Sequence, residues 1–336
     1  MSSIMQALVY TAPNTLEVTD APLPVPGPGD LLVRVHAVGI CGSDMHAYHG
    51  HDSRRPAPLI LGHEAAGIIA EGPRAGERVT INPLVVDPDC PAARAGRPHL
   101  SPTRQIISMP PRPGAFAGFV TIPARNVLPV PDAFDLQRAA LAEPLAVGWH
   151  AVRIGLERLD QPLRDVTALV LGGGAIGLAA ALVLRRAGVR ALHVAEPHPE
   201  RRALIAGQGG MSAYDPREGD GIDAPDLVID AVGTEATRAA ASRLVRPGGV
   251  IVHVGLLPGE SGFDIRRITL QEITLMGSYC YTPGDFADTL AAMVAGELGP
   301  LDWFETRPLA EGPAAFADLD AGRVAAAKIV LLPDGA

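Results

Sequence analysis

The chain reads as an α/β protein in two parts, a mostly β domain followed by a doubly wound parallel-sheet domain, and three observations predict this. Its 336 residues exceed one average domain and suffice for two cores. From about residue 5 to residue 150, short β-rich segments are separated by Pro and Gly turns such as PLPVPGPGD. Beyond that point, fully apolar strand-like runs alternate with helical stretches rich in Ala, Leu and Arg, the pattern of a parallel sheet covered on both faces.

In chain order, the first part offers strands at QALVYT, TLEVTDA, LLVRVHAVG, EAAGIIA, ERVTI, AFAGFVTI and NVLPV. The second part offers ALVLGG followed by the helix AIGLAAALVLRRAG, ALHVAE by PERRALIAGQ, and DLVIDAV by TEATRAAASRLV, then the strand GVIVHVG. The tail from about Pro283 carries an amphipathic helix, DFADTLAAMVAGEL, and a last strand, KIVLL. No internal repeat or low-complexity segment is present.

Charge and cysteine content exclude several functions. With 28 basic and 37 acidic residues, net charge −9, the chain has no electrostatic footprint for nucleic acid or an anionic membrane, and neither partner is expected. The N-terminus MSSIMQALVYTAPN lacks a basic stretch leading into an apolar one, and no run approaches the roughly 18 apolar residues of a membrane helix, so a cytoplasmic protein is expected. Three cysteines cannot form a disulfide framework and fit a reducing compartment. Lys328 is the sole lysine, which reads as coding bias towards arginine and not as chemistry.

The strongest single motif lies in ALVLGGGAIGLAAAL, where Gly172, Gly174 and Gly177 form G-x-G-x-x-G between an apolar strand and a helix, with Ala175 and Ile176 in the turn. The first glycine allows the tight turn, the second lets backbone approach a pyrophosphate, and the third lets helix and sheet pack closely. An acid is expected about 20 residues on, at the end of the next strand, and Glu196 stands there. A carboxylate at that point bonds a free ribose diol and repels a 2′-phosphate, favouring NAD; Arg201 and Arg202 keep a contact with the extra phosphate of NADP open.

The stretch ICGSDMHAYHG (Cys41, Ser43, His46), the triplet GHE (His63, Glu64) and the triplet AEP (Glu143) supply cysteine, histidine and carboxylate, the ligand types of a catalytic zinc site with an open position. Together with the nucleotide loop, this set resembles the zinc-dependent medium-chain alcohol and polyol dehydrogenases over essentially the whole chain. AEP, where ordinary alcohol dehydrogenases carry a cysteine, is similar to the sorbitol branch. The resemblance implies a GroES-like catalytic domain, residues 1–148 and 284–336, around a Rossmann cofactor domain, residues 149–283. It makes Cys41 and His63 zinc ligands and puts Glu64 and Glu143 in or beside the coordination shell. One acid is expected to bind the ion and the other to reach it through water, with Glu64 favoured for direct contact, because two direct carboxylates beside a thiolate weaken Lewis acidity. Ser43 and His46 match the family's proton relay, and histidine suits its outer end because it titrates near neutral pH.

What the resemblance implies chemically is hydride transfer from a secondary alcohol, polyol or diol, to NAD. Zinc lowers the pKa of bound water from about 15.7 to roughly 7, a shift no side-chain base supplies. In sorbitol-type enzymes an arginine and a tyrosine at the domain junction contact the polyol. GSYCYTPGDF offers Cys280 and Tyr281 instead, which turns the expectation towards a shorter diol or another secondary alcohol. Tyr48, Phe116 and Trp303 are candidates for pocket or core. Dimers or tetramers of identical chains are common among such enzymes. The alternatives are a zinc-free NADPH quinone or enone reductase of the same superfamily, which lacks the metal residues, and a non-catalytic nucleotide-binding sensor.

The same family often holds a second, structural zinc with four cysteines. The matching positions here are Asp87, Cys90, Ala93 and Ser101, only one of them a soft ligand, so this lobe is expected to bind no zinc. Metal analysis of purified protein is expected to return one zinc per chain; two would refute this.

Overall fold

Alternation of buried and exposed residues along the strand Asp30–Gly39 turns Val33 and Val35 inward, Val38 joins the same core past a register shift between Val35 and Ala37, and the partner strand Glu64–Ile69 is buried almost throughout. These two strands are the centre of a seven-stranded sheet in a computed structural model that describes residues 4–219 and 221–333. The chain divides into two units. One comprises the residues up to Glu143, Thr282–Val294 and the segment from Leu301 onward; the other comprises Pro144–Tyr281 with Ala295–Pro300.

In the first unit the sheet runs in the order Val127–Pro129, Arg78–Ile81, Glu64–Ile69, Asp30–Gly39, Lys328–Leu332, Phe304–Pro308, with Phe119–Pro123 also paired to Asp30–Gly39. A smaller sheet pairs Ile4–Ala12 with Thr15–Pro22 and with Leu59–Ile60. The tail thus contributes a central strand: Lys328–Leu332 lies antiparallel to Asp30–Gly39, with Val330 opposite Gly39.

Two sequence expectations are corrected here and one open choice is decided. The strand expected across AFAGFVTI is confined to Phe119–Pro123, because Phe116 is held by single bonds, donating its amide to Leu61 O and accepting from Leu8 N, and not by a ladder. Of the candidates for pocket or core, Tyr48, Phe116 and Trp303 are all buried: Tyr48 and Phe116 each pack on Phe316, and Trp303 is 1% exposed. The tail helix runs Pro283–Val294 and stops short of GEL. The helices Gly42–Tyr48 and Ala142–Leu156 stand where no element was expected.

The second unit holds a six-stranded, wholly parallel sheet in the order Ser212–Tyr214, Ala191–Ala195, Thr167–Leu171, Leu227–Asp230, Val250–His253, Thr274–Gly277. In chain sequence this is 3-2-1-4-5-6, the doubly wound order whose switch point lies beside its first strand. That strand, Thr167–Leu171, is buried at every residue, as the apolar run after its first threonine requires. Among the described residues, no helix is long and apolar enough to cross a membrane.

The helix Ala175–Ala187 starts directly from the glycine loop. A Cβ on Gly177 would lie 1.8 Å from Gly172 O, so any side chain forces helix and strand apart, whereas a Cβ on Gly174 meets nothing within 4 Å. Gly177→Ala is therefore expected to destabilise this unit by about 1–3 kcal/mol, read as a lower denaturation midpoint in urea. An unchanged midpoint would contradict the packing described.

Candidate metal centre and nucleotide loop

Strand register brings the chemical residues together. Gly39 pairs with Glu64 across the antiparallel ladder, so Cys41, just past the end of one strand, stands beside His63, just before the start of the next. Ligand atoms of Cys41, His63 and Glu64 all lie within 4.8 Å of one another. His63 and Glu64 are buried and Cys41 is half-buried. A Cβ at Gly39 would lie 2.1 Å from Glu64 Oε2; the absent side chain is the space the carboxylate occupies.

Lys328 corrects the reading of the sole lysine as mere coding bias. Register places it level with Cys41, and its Nζ donates to Glu64 Oε1 at 2.6 Å and to Ile40 O at 2.9 Å. Burial alone would pull its pKa down, but the charge of Glu64, then that of Cys41, lifts it above the ordinary lysine value, with Glu143 adding to the effect. Glu64 Oε2 is buried and has no protein partner. An orphaned carboxylate oxygen beside a thiol and an imidazole is the donor set that a zinc ion fits. Glu143 is buried in the first turn of Ala142–Leu156 and is not one of the three clustered groups.

Asp44, which sequence reasoning did not single out, organises both arms. One oxygen accepts from Cys41 N at 3.0 Å, as the third residue of a helix reaching back to its cap, and the other accepts from Gly62 N at 3.3 Å. The cysteine–x–x–acid spacing at a helix start was the signal available. The same carboxylate stands 3.6 Å from His63 Nδ1. Burial opposes charge on the imidazole, yet Asp44, followed by Cys41, raises the His63 pKa well above its ordinary value. Burial likewise opposes charge on Asp44, whose pKa is nevertheless lowered by His63, Arg55 and the Cys41 amide.

Ser43 and His46 share the helix Gly42–Tyr48 at a three-residue spacing that puts them on neighbouring faces. His46 is partly buried, and burial is the main cause of its lowered pKa, with His49 and His51 adding to it against the opposing charge of Asp52. In the lobe where the resemblance would place a second zinc, Cys90 caps the short helix Pro91–Arg94 by accepting from Ala93 N, and Asp87 accepts from Asp89 N. Ser101 Oγ pairs with Thr103 Oγ1, and the strands Leu84–Val85 and Gln105–Ile106 close the loop.

In the second unit, Gly172 and Gly174 lie between strand and helix, and Ala175, Ile176 and Gly177, expected in the turn, form the first turn of the helix Ala175–Ala187. Glu196 is buried at the end of Ala191–Ala195, with Oε2 accepting from Gly173 N and Oε1 from His198 N, both at 2.8 Å. Arg201 and Arg202 lie on Pro199–Gly207. Arg202 is engaged by Glu196 O, Pro197 O and Asp215, and Arg217 chelates the same aspartate.

A metal-type donor cluster in a β unit and a glycine-loop nucleotide sheet in another define a metal-dependent oxidoreductase. Comparison with known proteins agrees: residues 27–132 match the alcohol dehydrogenase GroES-like domain and residues 175–295 the zinc-binding dehydrogenase domain. L-galactonate-5-dehydrogenase of Escherichia coli K12 is 34% identical over 88% of this chain and 89% of its own. L-threonine 3-dehydrogenase of Rhizobium johnstonii is 31% identical over 90% of each chain. Among solved structures, an alcohol dehydrogenase of E. coli CFT073 complexed with NADH superposes with a TM-score of 0.89 at 27% identity, covering 98% of this chain and 100% of that one. A zinc-binding dehydrogenase of Sinorhizobium meliloti bound to NADP gives 0.88 at 28% identity, covering 99% of this chain and 100% of that one. The chain belongs to the zinc-binding medium-chain dehydrogenase family, with a GroES-like β domain and a Rossmann domain.

Lys328→Met would leave the Glu64 carboxylate buried without its counter-charge. The metal-free protein is expected to lose about 3–5 kcal/mol, measured by denaturant titration, and the double variant with Glu64→Gln is expected to recover most of that loss.

Proposed function

We propose that the protein oxidises a secondary hydroxyl group of a polyol, diol or sugar acid with NAD, using one zinc ion held by Cys41, His63 and Glu64. The observation that carries this reading is the clustered donor set with its orphaned oxygen, Glu64 Oε2. When bound, zinc supplies the Lewis acidity that makes a secondary alcohol give up its proton near neutral pH, and the nicotinamide supplies the hydride acceptor.

The chain's own groups do the rest. Lys328 holds Glu64 Oε1, so only Oε2 is presented to the ion. It also balances charge: with the Cys41 thiolate, Glu64 and Glu143 negative, the ion and Lys328 together bring the site to neutrality. Glu143 then acts from beside the coordination shell. Ser43 and His46 carry the departing proton outward, and the lowered pKa of His46 keeps its imidazole neutral and able to accept. In the Rossmann unit, Gly172, Gly174, Ala175, Ile176 and Gly177 receive the pyrophosphate, and the open space over Gly174 supports that role. Glu196 is held with its carboxylate fixed, which favours a ribose diol over a 2′-phosphate, and Arg202 is already occupied by Asp215. Arg201 lies on the same helix as Arg202, Pro199–Gly207. Support for the substrate class comes from the relative named for L-galactonate. Cys90 and Ser101 serve the turns of their lobe, which supports a single zinc per chain.

The test is NAD reduction across polyols, diols and sugar acids, with and without a chelator that strips zinc. Activity is expected on at least one class and is expected to vanish on stripping and return with added zinc; turnover that survives complete zinc removal would refute the reading. Cys41→Ser is expected to lower kcat by at least about 10³-fold while leaving NAD affinity within a factor of two or so, because the two ligand sets lie in different units.

A further inference from the structure

Ser108 is wholly buried and holds a left-handed backbone, φ +74°, that L side chains avoid and glycine adopts without strain. Nothing in local sequence explains a serine there: it follows the short strand Gln105–Ile106 in a loop that a glycine would turn more easily. What the side chain does in return is contact the metal cluster. Its Oγ lies 3.3 Å from His63 Nδ1 and 3.5 Å from Arg55 Nη2. Strain kept at a buried residue whose only distinctive atom touches a functional group points to a functional reason for the side chain.

We propose that Ser108 is a positioning residue for His63, fixing the ring so that Nε2 carries the lone pair offered to the metal; this rests on the zinc reading above. Two oxygens stand on the Nδ1 side of the ring. Asp44 Oδ1 is 3.6 Å away and acts on the ring through its charge, while the same carboxylate is also engaged by the amides of Cys41 and Gly62. The serine hydroxyl is thus the nearer partner. Arg55 can only donate, so its approach to Oγ favours the hydroxyl as an acceptor, and the remaining lone pair of Oγ takes the Nδ1 proton. With that proton placed, Nε2 is the free ring nitrogen. Orienting a ligand imidazole through its second nitrogen is how outer partners tune metal sites.

Arg55 makes the arrangement rigid. It is 3% exposed, and its guanidinium donates to Ser108 O at 3.1 Å, to Ser43 O at 3.2 Å and to Asp52 Oδ2 at 2.9 Å. The loop carrying Ser108 is thereby tied to the helix Gly42–Tyr48 capped by Cys41, so the arms bearing Cys41 and Ser108 are referred to one buried guanidinium.

The experiment compares wild type with Ser108→Gly and Ser108→Ala. Both lose the hydroxyl, but only glycine relieves the backbone. Zinc affinity is measured by competition with a chromophoric chelator, the cobalt-substituted proteins are compared by visible absorption, and metal-free melting temperatures are recorded. Both variants are expected to bind zinc about 10-fold more weakly with a shifted cobalt spectrum, although metal-free Ser108→Gly melts above Ser108→Ala. Wild-type zinc affinity in Ser108→Gly, or affinity that merely tracks melting temperature across the three proteins, overturns the proposal. Failure of the wild type itself to bind zinc overturns the zinc reading and this inference together.

Discussion

A lysine ammonium and a glutamate carboxylate 2.6 Å apart, both out of water, hold the metal side of the GroES-like domain together. Neither charge is tolerable alone in such surroundings, where an unpaired ion costs several kcal/mol. Each therefore dictates the position of the other, although they are 264 residues apart in the chain. The pair joins the strand Glu64–Ile69 to the tail strand Lys328–Leu332 across Asp30–Gly39, and Lys328 also bonds Ile40 O, one residue before the clustered cysteine. A C-terminal strand is thus part of the site and not an appendage to it.

From that constraint the remaining geometry follows. Because Oε1 is taken by Lys328 and Gly39 leaves room for Oε2, the carboxylate has one orientation and one unengaged oxygen. Asp44 fixes the neighbouring arms through the amides of Cys41 and Gly62, and Arg55 ties the helix bearing Ser43 to the loop bearing Ser108. The donors are thus held by hydrogen bonds within the chain, from the Cys41 and Gly62 amides to Asp44, from Lys328 to Glu64 and between Ser108 and His63. Such preorganisation reduces the ordering that metal binding must accomplish.

Much of the site was legible from residue types and spacing. Cys41, His63 and Glu64 are named by chemistry, and the structure clusters them. The glycine loop and Glu196 follow from a mechanism that demands those residues at those intervals, and strand, loop and helix occur where the motif requires. Other features left no local trace. A lone lysine near the C-terminus looks like composition until the sheet sets it against Glu64. Ser108 looks like a loop serine until its backbone angle and its histidine are seen. Tyr48 and Phe116, which suited pocket or core alike, pack on Phe316, a partner that the sequence does not advertise.

By itself, the sequence determined the two-part α/β architecture, the nucleotide loop and the identity of the candidate metal donors, because these depend on periodicity and on residue types at short separations along one segment. Tertiary structure alone decided which carboxylate oxygen stays open, which cation balances it and what steadies the imidazole. Those outcomes rest on contacts between segments distant in the chain, and only strand register and shared burial, set by the whole fold, determine which distant groups meet.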